Sequence, residues 1–160
     1  FAKTDKDKAL DYLNKASKNE IIKKLPSYIS FIYLNRSLIY FHQDNFIDAQ
    51  KNISRLILQE DFLLLDKAFQ LKILIADIII RFKNGQHNII DKIEDIRRNY
   101  KQLLLDEGYV RDREMIDIIS KKIYDEDIID DKKRILSFMS DYDSEDLDII
   151  SYNLWLRNNL

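Results

Sequence analysis

The stretch Tyr33-Leu34-Asn35-Arg36-Ser37-Leu38-Ile39-Tyr40-Phe41-His42-Gln43-Asp44-Asn45-Phe46-Ile47-Asp48-Ala49 decides the fold. Its apolar residues recur at three- and four-residue intervals on both sides of Asp44-Asn45, whose short polar side chains favour turns over helix interiors. The spacing predicts a helix from about Pro26 to His42, with Ile29, Tyr33, Leu34, Ser37, Tyr40 and Phe41 facing inward. A second helix should run from Phe46 to about Gln59, with Ala49, Ile53, Leu56 and Ile57 on one stripe. Pro26 suits a first helical turn, where its fixed φ fits and its missing N–H would have no intrahelical partner.

Further out the period persists. Ala9, Leu13 and Ala16 share one face of a first helix, for which Thr4 or Asp5 is the expected cap. Downstream, a helix from about Phe62 to Lys83 is apolar round most of its circumference. It should therefore be covered on two sides, at the centre of the molecule. Asn84-Gly85 ends it, with Gly85 as the left-handed C-terminal residue. The next helix, from about Asn88 to Leu105, uses Ile89, Ile93, Ile96, Tyr100 and Leu103/Leu104. Beyond Gly108, shorter helices are expected near Arg111–Tyr124, Asp131–Met139 and Ser144–Asn158. The last has Asp143 or Ser144 as its cap and carries Trp155 to close the C-terminal end. About eight helices with short connections predict antiparallel neighbours in one all-α domain over 1–160.

Composition agrees with this reading. Two Gly and one Pro in 160 residues leave too little turn chemistry for sandwiches or barrels. Apolar residues at 46% and charged ones at 34% describe a globular chain. The absence of Cys excludes disulfide scaffolds, thiolate metal sites and cysteine nucleophiles. A net charge of −2 argues against direct nucleic-acid binding, which draws on a basic excess. The most apolar run, Ile73 to Ile80, spans about 12 Å as a helix against the roughly 30 Å of a bilayer core. It reads as a buried helix, and no membrane insertion is expected. The chain opens on Phe1 with no leader pattern, as a processed or excised fragment would. The cytoplasm is the default location. Richness in Ile, Asn, Lys and Asp suggests an AT-rich coding genome of bacterial kind.

Residues 33–56 also resemble a tetratricopeptide repeat. In that family a large residue opens helix A, followed by a small residue and an aromatic; Tyr33, Ser37 and Tyr40 hold those places. Asp44-Asn45 and Phe46 match the tight turn and the aromatic after it. Ala49 and Ile53 match the small and large residues of helix B, while Leu56 is larger than the pattern prefers. Ala9, Leu13 and Ala16 repeat the helix-B signature, with a helix-A partner expected upstream of Phe1. Phe82 to His87 again looks like such a turn, after which Ile90, Glu94 and Arg97 depart from the pattern. The two turns are 41 residues apart and Ala9 lies 40 before Ala49, against a family period of about 34, so these helices are longer than standard. The resemblance covers about residues 1–105, with one good repeat at about 27–60. It implies a right-handed superhelix of stacked antiparallel pairs, an α-α solenoid, of which this chain is a fragment closed by the helices of 106–160.

Local motifs for catalysis are absent. His42 and His87 are the only histidines and have no metal-ligand or nucleophile spacing. Asp141-Tyr-Asp143-Ser-Glu145-Asp146 begins like a calcium loop but has Asp146 in place of the turn glycine and Tyr152 in place of the closing Glu. The run from Asp125 to Asp131 fails at Ile129. Asp77, the one charge inside the apolar run, is expected to pair with Arg81 one turn on. No catalytic residue, metal or cofactor is predicted.

What the resemblance does imply is a non-enzymatic protein–protein interaction scaffold that binds a partner helix or peptide along its helix-A faces. Carried over residue by residue, Phe31, Leu34, Asn35, Leu38, Phe41 and His42 would line that face. Chaperone-binding members of the family clamp a C-terminal carboxylate with Lys and Asn; Asn35 fits one place, but Phe31 and Ala76 stand where Lys and the next Asn belong. The implied groove is therefore apolar and aromatic. The alternative is a sensor or regulatory module of a larger bacterial signalling or transcription protein. Charge is also segregated. Residues 1–105 hold 18 basic and 13 acidic side chains, and residues 106–148 hold 7 and 15. A chain so polarised can associate head to tail or orient a partner.

Overall fold

The computed structural model describes residues 2–25, 27–86, 89–124, 135 and 148–159. Among them are eight α-helices and no strand. In chain order these are α1 (Ala2–Lys18), α2 (Tyr28–His42), α3 (Phe46–Ile57), α4 (Lys67–Lys83), α5 (Ile89–Asn99), α6 (Lys101–Leu105), α7 (Val110–Ile123) and α8 (Tyr152–Asn159). The chain groups into two compact units, Phe1–Asp66 with Lys83–Gly85, and Lys67–Phe82 with Gln86–Leu160.

In the first unit the deciding stretch forms the two helices its periodicity predicts; of the residues expected inward on α2, Leu34 and Ser37 are buried and Ile29, Tyr33, Tyr40 and Phe41 half-buried, while Ser30 and Ile32 are buried beside them. Asp44 takes a left-handed conformation (φ 58°). The Asn45 N–H then donates to Tyr40 O at 2.9 Å and the Asp44 N–H to Phe41 O at 3.1 Å, satisfying carbonyls that the end of α2 would otherwise leave open. Asn45 at once starts α3, its side chain accepting from the Asp48 N–H at 3.2 Å. Across this turn α2 and α3 pack together. Ala49 has no exposed surface, and its carbonyl accepts a 2.8 Å hydrogen bond from Ser37 Oγ. A larger side chain at either place would hold the helices apart. Ile32, Leu34, Ile53, Leu56 and Phe62 complete the buried apolar set. α1 is tied to α2 by Arg36, which donates to Asn14 Oδ1 (2.6 Å) and Ser17 Oγ (3.2 Å). The helix is already continuous from Ala2, so the expected start at Thr4 or Asp5 falls inside it. Pro26 lies outside the described residues.

The single helix expected from Phe62 is instead two elements. Glu60–Leu64 form a 3-10 turn that drives Phe62 inward, and Leu65 is extended (ψ 155°), so α4 begins only at Lys67. α4 is buried on most of its circumference; Ile73, Ile75, Ala76, Ile78, Ile79 and Ile80 are at most 1% exposed. Gly85 (φ 71°) follows it, and the Gln86 N–H returns to Arg81 O at 3.1 Å. This is the same six-residue closure that Asn45 makes on Tyr40. Likewise the helix expected to reach Leu105 is interrupted at Tyr100 (φ −115°, ψ 20°). The Tyr100 hydroxyl is anchored on Gln70 Oε1 of α4 at 2.7 Å, and the backbone bends at the residue that carries it.

α7 matches the helix expected at Arg111–Tyr124 to within a residue at each end. α8 starts at Tyr152 rather than Ser144, with Ser151 Oγ accepting from the Leu154 N–H at 3.3 Å. Of the helix expected at Asp131–Met139 only Ile135 is described, helical and buried; the caps Asp143 and Ser144 lie outside the described residues. Met115, Ile116, Ile119, Tyr152, Trp155 and Leu156 are buried, and Trp155 meets Phe82 edge-on with ring centres 5.5 Å apart. No helix among the described residues is long and apolar enough to cross a membrane.

Candidate functional site

α2 holds all six residues expected to line a binding face, and it divides them. Phe31 is 59% exposed, whereas Leu34 is buried in the core of the first unit at 8%. Asn35 and His42 are exposed; Leu38 and Phe41 are half-buried. Helical geometry explains the division. Residues 31, 35, 38 and 42 follow one another at the four- and three-residue steps that keep a helix face in line. Ser30, Leu34 and Ser37 form the adjacent inward stripe, each buried. Asn35 Nδ2 donates to the Phe31 carbonyl at 2.7 Å, so its carboxamide is steered along the helix axis. Phe41 lies edge-on to His42 and to Phe46, each with ring centres 5.7 Å apart. The His42 carbonyl accepts from Lys6 Nζ at 2.7 Å. Partial burial of its ring, then the Lys6 charge, holds the His42 pKa below the ordinary 6.5, while Asp44 acts against them. His42 therefore presents a neutral ring near neutral pH.

The second unit contains a constellation that sequence reading did not identify. Lys72 Nζ of α4 stands 2.9 Å from Asp112 Oδ1 and 3.1 Å from Asp148 Oδ1. Arg111 Nη2 reaches Asp148 Oδ2 at 3.0 Å. The Tyr152 hydroxyl donates to Asp112 Oδ1 at 2.7 Å, and both cations lie over its ring, Lys72 at 5.3 Å and Arg111 at 5.7 Å. Asp112 and Tyr152 are each 1% exposed. Burial pushes the Tyr152 phenol up, the Asp112 and Asp148 charges push it further, and it stays protonated well above the usual tyrosine range. For Lys72 burial works downward, but hydrogen bonds and charges from Asp112 and Asp148 outweigh it and the net direction is up. Two cations thus face two carboxylates. Each carboxylate is committed to partners, so the arrangement ties α4, α7 and the start of α8 together.

Signals for this cluster did exist. Lys72 borders the apolar run, and Arg111-Asp112 opens a predicted helix. Asp112 and Asp148 are two of the 15 acids of residues 106–148, and nothing in their local spacing sets them apart.

Asp77 pairs with Arg81 Nε at 2.8 Å, as helical spacing predicts, and also with Lys92 Nζ of α5 at 3.0 Å. Arg81 Nη1 continues to Gln86 Oε1 at 2.9 Å, which links the ion pair to the turn that ends α4. His87 and the acidic runs from Asp125 to Asp131 and from Asp141 to Asp146 lie outside the described residues. Compared with protein-family models, with curated proteins and with solved structures, the chain matches none of them.

Proposed function

We propose that this chain is a non-enzymatic protein–protein interaction scaffold built of tetratricopeptide-like helix pairs, with α2 as a helix A that receives a partner helix or peptide. One observation carries the reading: Phe31 stands 59% exposed in line with Asn35, Leu38 and His42, on a helix whose adjacent stripe is already filled by the core. A large aromatic beside an exposed carboxamide supplies the mixed apolar and hydrogen-bonding surface that peptide recognition uses.

Two further features support helical repetition. The turns at Asp44 and Gly85 close with the same backbone bond and lie 41 residues apart. Within each unit, cross-helix partners run in opposite senses. Lys6 meets His42 while Asn14 meets Arg36, and Gln70 meets Tyr100 while Asp77 meets Lys92. Such pairing is what antiparallel neighbours produce.

The test is an affinity capture from the source cell's lysate with wild type beside Phe31→Ser/Asn35→Ala. Both positions are exposed, and circular dichroism should show equal folding. A protein held by wild type and lost by the variant is the expected outcome. Equal retention by both would remove α2 as the recognition face.

A further inference from the structure

At the corner between α1 and α2 two aliphatic side chains stand out of the surface, Ile21 at 76% and Leu25 at 56% exposure. They belong to a stretch, Lys15 to Leu25, with four lysines against a single acid, Glu20. Lys23 engages that acid at 2.7 Å, and Lys18, Lys23 and Lys24 are all exposed. The corner is a tied turn. Asn19 Oδ1 accepts from the N–H groups of both Ile21 (2.9 Å) and Ile22 (3.1 Å). The Lys24 and Leu25 amides close on the Ile21 and Ile22 carbonyls at 3.1 and 3.0 Å. The backbone that projects Ile21 and Leu25 is therefore already ordered before anything binds, which removes part of the entropic cost of binding.

Protruding aliphatics ringed by lysines match a bilayer interface, where the apolar tips enter the headgroup boundary and the ammonium groups meet anionic lipid. We infer that the α1–α2 corner is a peripheral docking point for an anionic bilayer surface: Ile21 and Leu25 insert, and Lys18, Lys23 and Lys24 face the lipid headgroups. This surface is separate from the Phe31–His42 stripe and does not depend on what that stripe binds.

The experiment is co-sedimentation of the full chain with vesicles of phosphatidylcholine, with and without phosphatidylserine. The chain should sediment with the phosphatidylserine vesicles at low salt and not with phosphatidylcholine alone. Ile21→Ser/Leu25→Ser should weaken binding about tenfold, and Lys18→Glu/Lys24→Glu should abolish it. These positions are exposed, so circular dichroism should be unchanged, and Phe31→Ser should sediment like wild type. Failure of wild type to bind the anionic vesicles overturns the inference. So does undiminished binding by either double variant, and so does equally tight binding to soluble polyglutamate, which would assign the corner to an acidic protein partner.

Discussion

Where α2 meets α3, Ala49, a side chain of one carbon, has no exposed surface, and its carbonyl accepts from the neutral Ser37 hydroxyl. Where α4 and α7 meet the chain at 148–152, contact is made by Lys72, Asp112, Arg111, Asp148 and the Tyr152 hydroxyl, with Asp112 and Tyr152 as buried as the isoleucines around them. The first unit is specified by volume, the second in good part by compensated charge. The two answer differently to substitution. An apolar contact degrades in proportion to the mismatch, while a buried ion cluster turns unfavourable as soon as one member is removed.

The largest test of that contrast is Asp112→Ala. It strips Lys72 of one carboxylate, leaves the buried Tyr152 hydroxyl without its acceptor and should cost about 3 kcal/mol. Trp155 is the only tryptophan and lies in the second unit, so its fluorescence in urea should report the loss directly. A change under about 1 kcal/mol would mean that the cluster is no more than a set of surface-like pairs.

Ala49→Leu is the matching test in the first unit. Overpacking a site with no exposed surface should cost about 2 kcal/mol, read by circular dichroism in urea, with the Trp155 signal following it only if the two units unfold together. Neutral behaviour at Ala49 would break the claim that closeness specifies this pair.

The smallest effect concerns pH. The folded pKa of His42 lies below its ordinary 6.5, so the folded chain binds a proton less readily than the unfolded chain. Its contribution to stability is complete above the unfolded value and is lost as pH falls through 6.5 toward the folded value. The first unit should weaken slightly between about pH 7.5 and about pH 5.5. Nuclear magnetic resonance titration should place His42 below an unfolded control, and Lys6→Ala should move it back up. A value at or above the control would remove the effect.

These differences also explain what was legible in the sequence. α2, the Asp44 turn, α3 and the Gly85 turn could be read because apolar periodicity and the chemistry of Asp, Asn and Gly are local. The break at Tyr100 could not, since no turn residue marks it locally; the Tyr100 hydroxyl there is bonded to Gln70, 30 residues earlier. The start of α8 was misplaced for a related reason. Asp143-Ser144 looks like a cap by residue type, yet Ser151 performs the capping beside a Tyr152 committed to Asp112. On α2, spacing placed Leu34 inward, whereas the tetratricopeptide resemblance set it on the binding face beside Phe31; Leu34 is buried and Phe31 exposed, as spacing has it. The basic corner is not legible locally, because Ile21 and Leu25 fit no helical face and their exposure depends on how Asn19 folds the turn.

One consequence of the ion cluster concerns the order of events during synthesis. Ser37 and Ala49 are 12 residues apart, so the α2–α3 contact can form soon after both helices leave the ribosome. Lys72 and Asp148 are 76 residues apart. While the chain is being elongated, Lys72 and Asp112 exist for several seconds before Asp148 and Tyr152 are translated. Over that interval the second unit holds a half-made set of charges that must stay hydrated, and its final closure waits on residues 148–152.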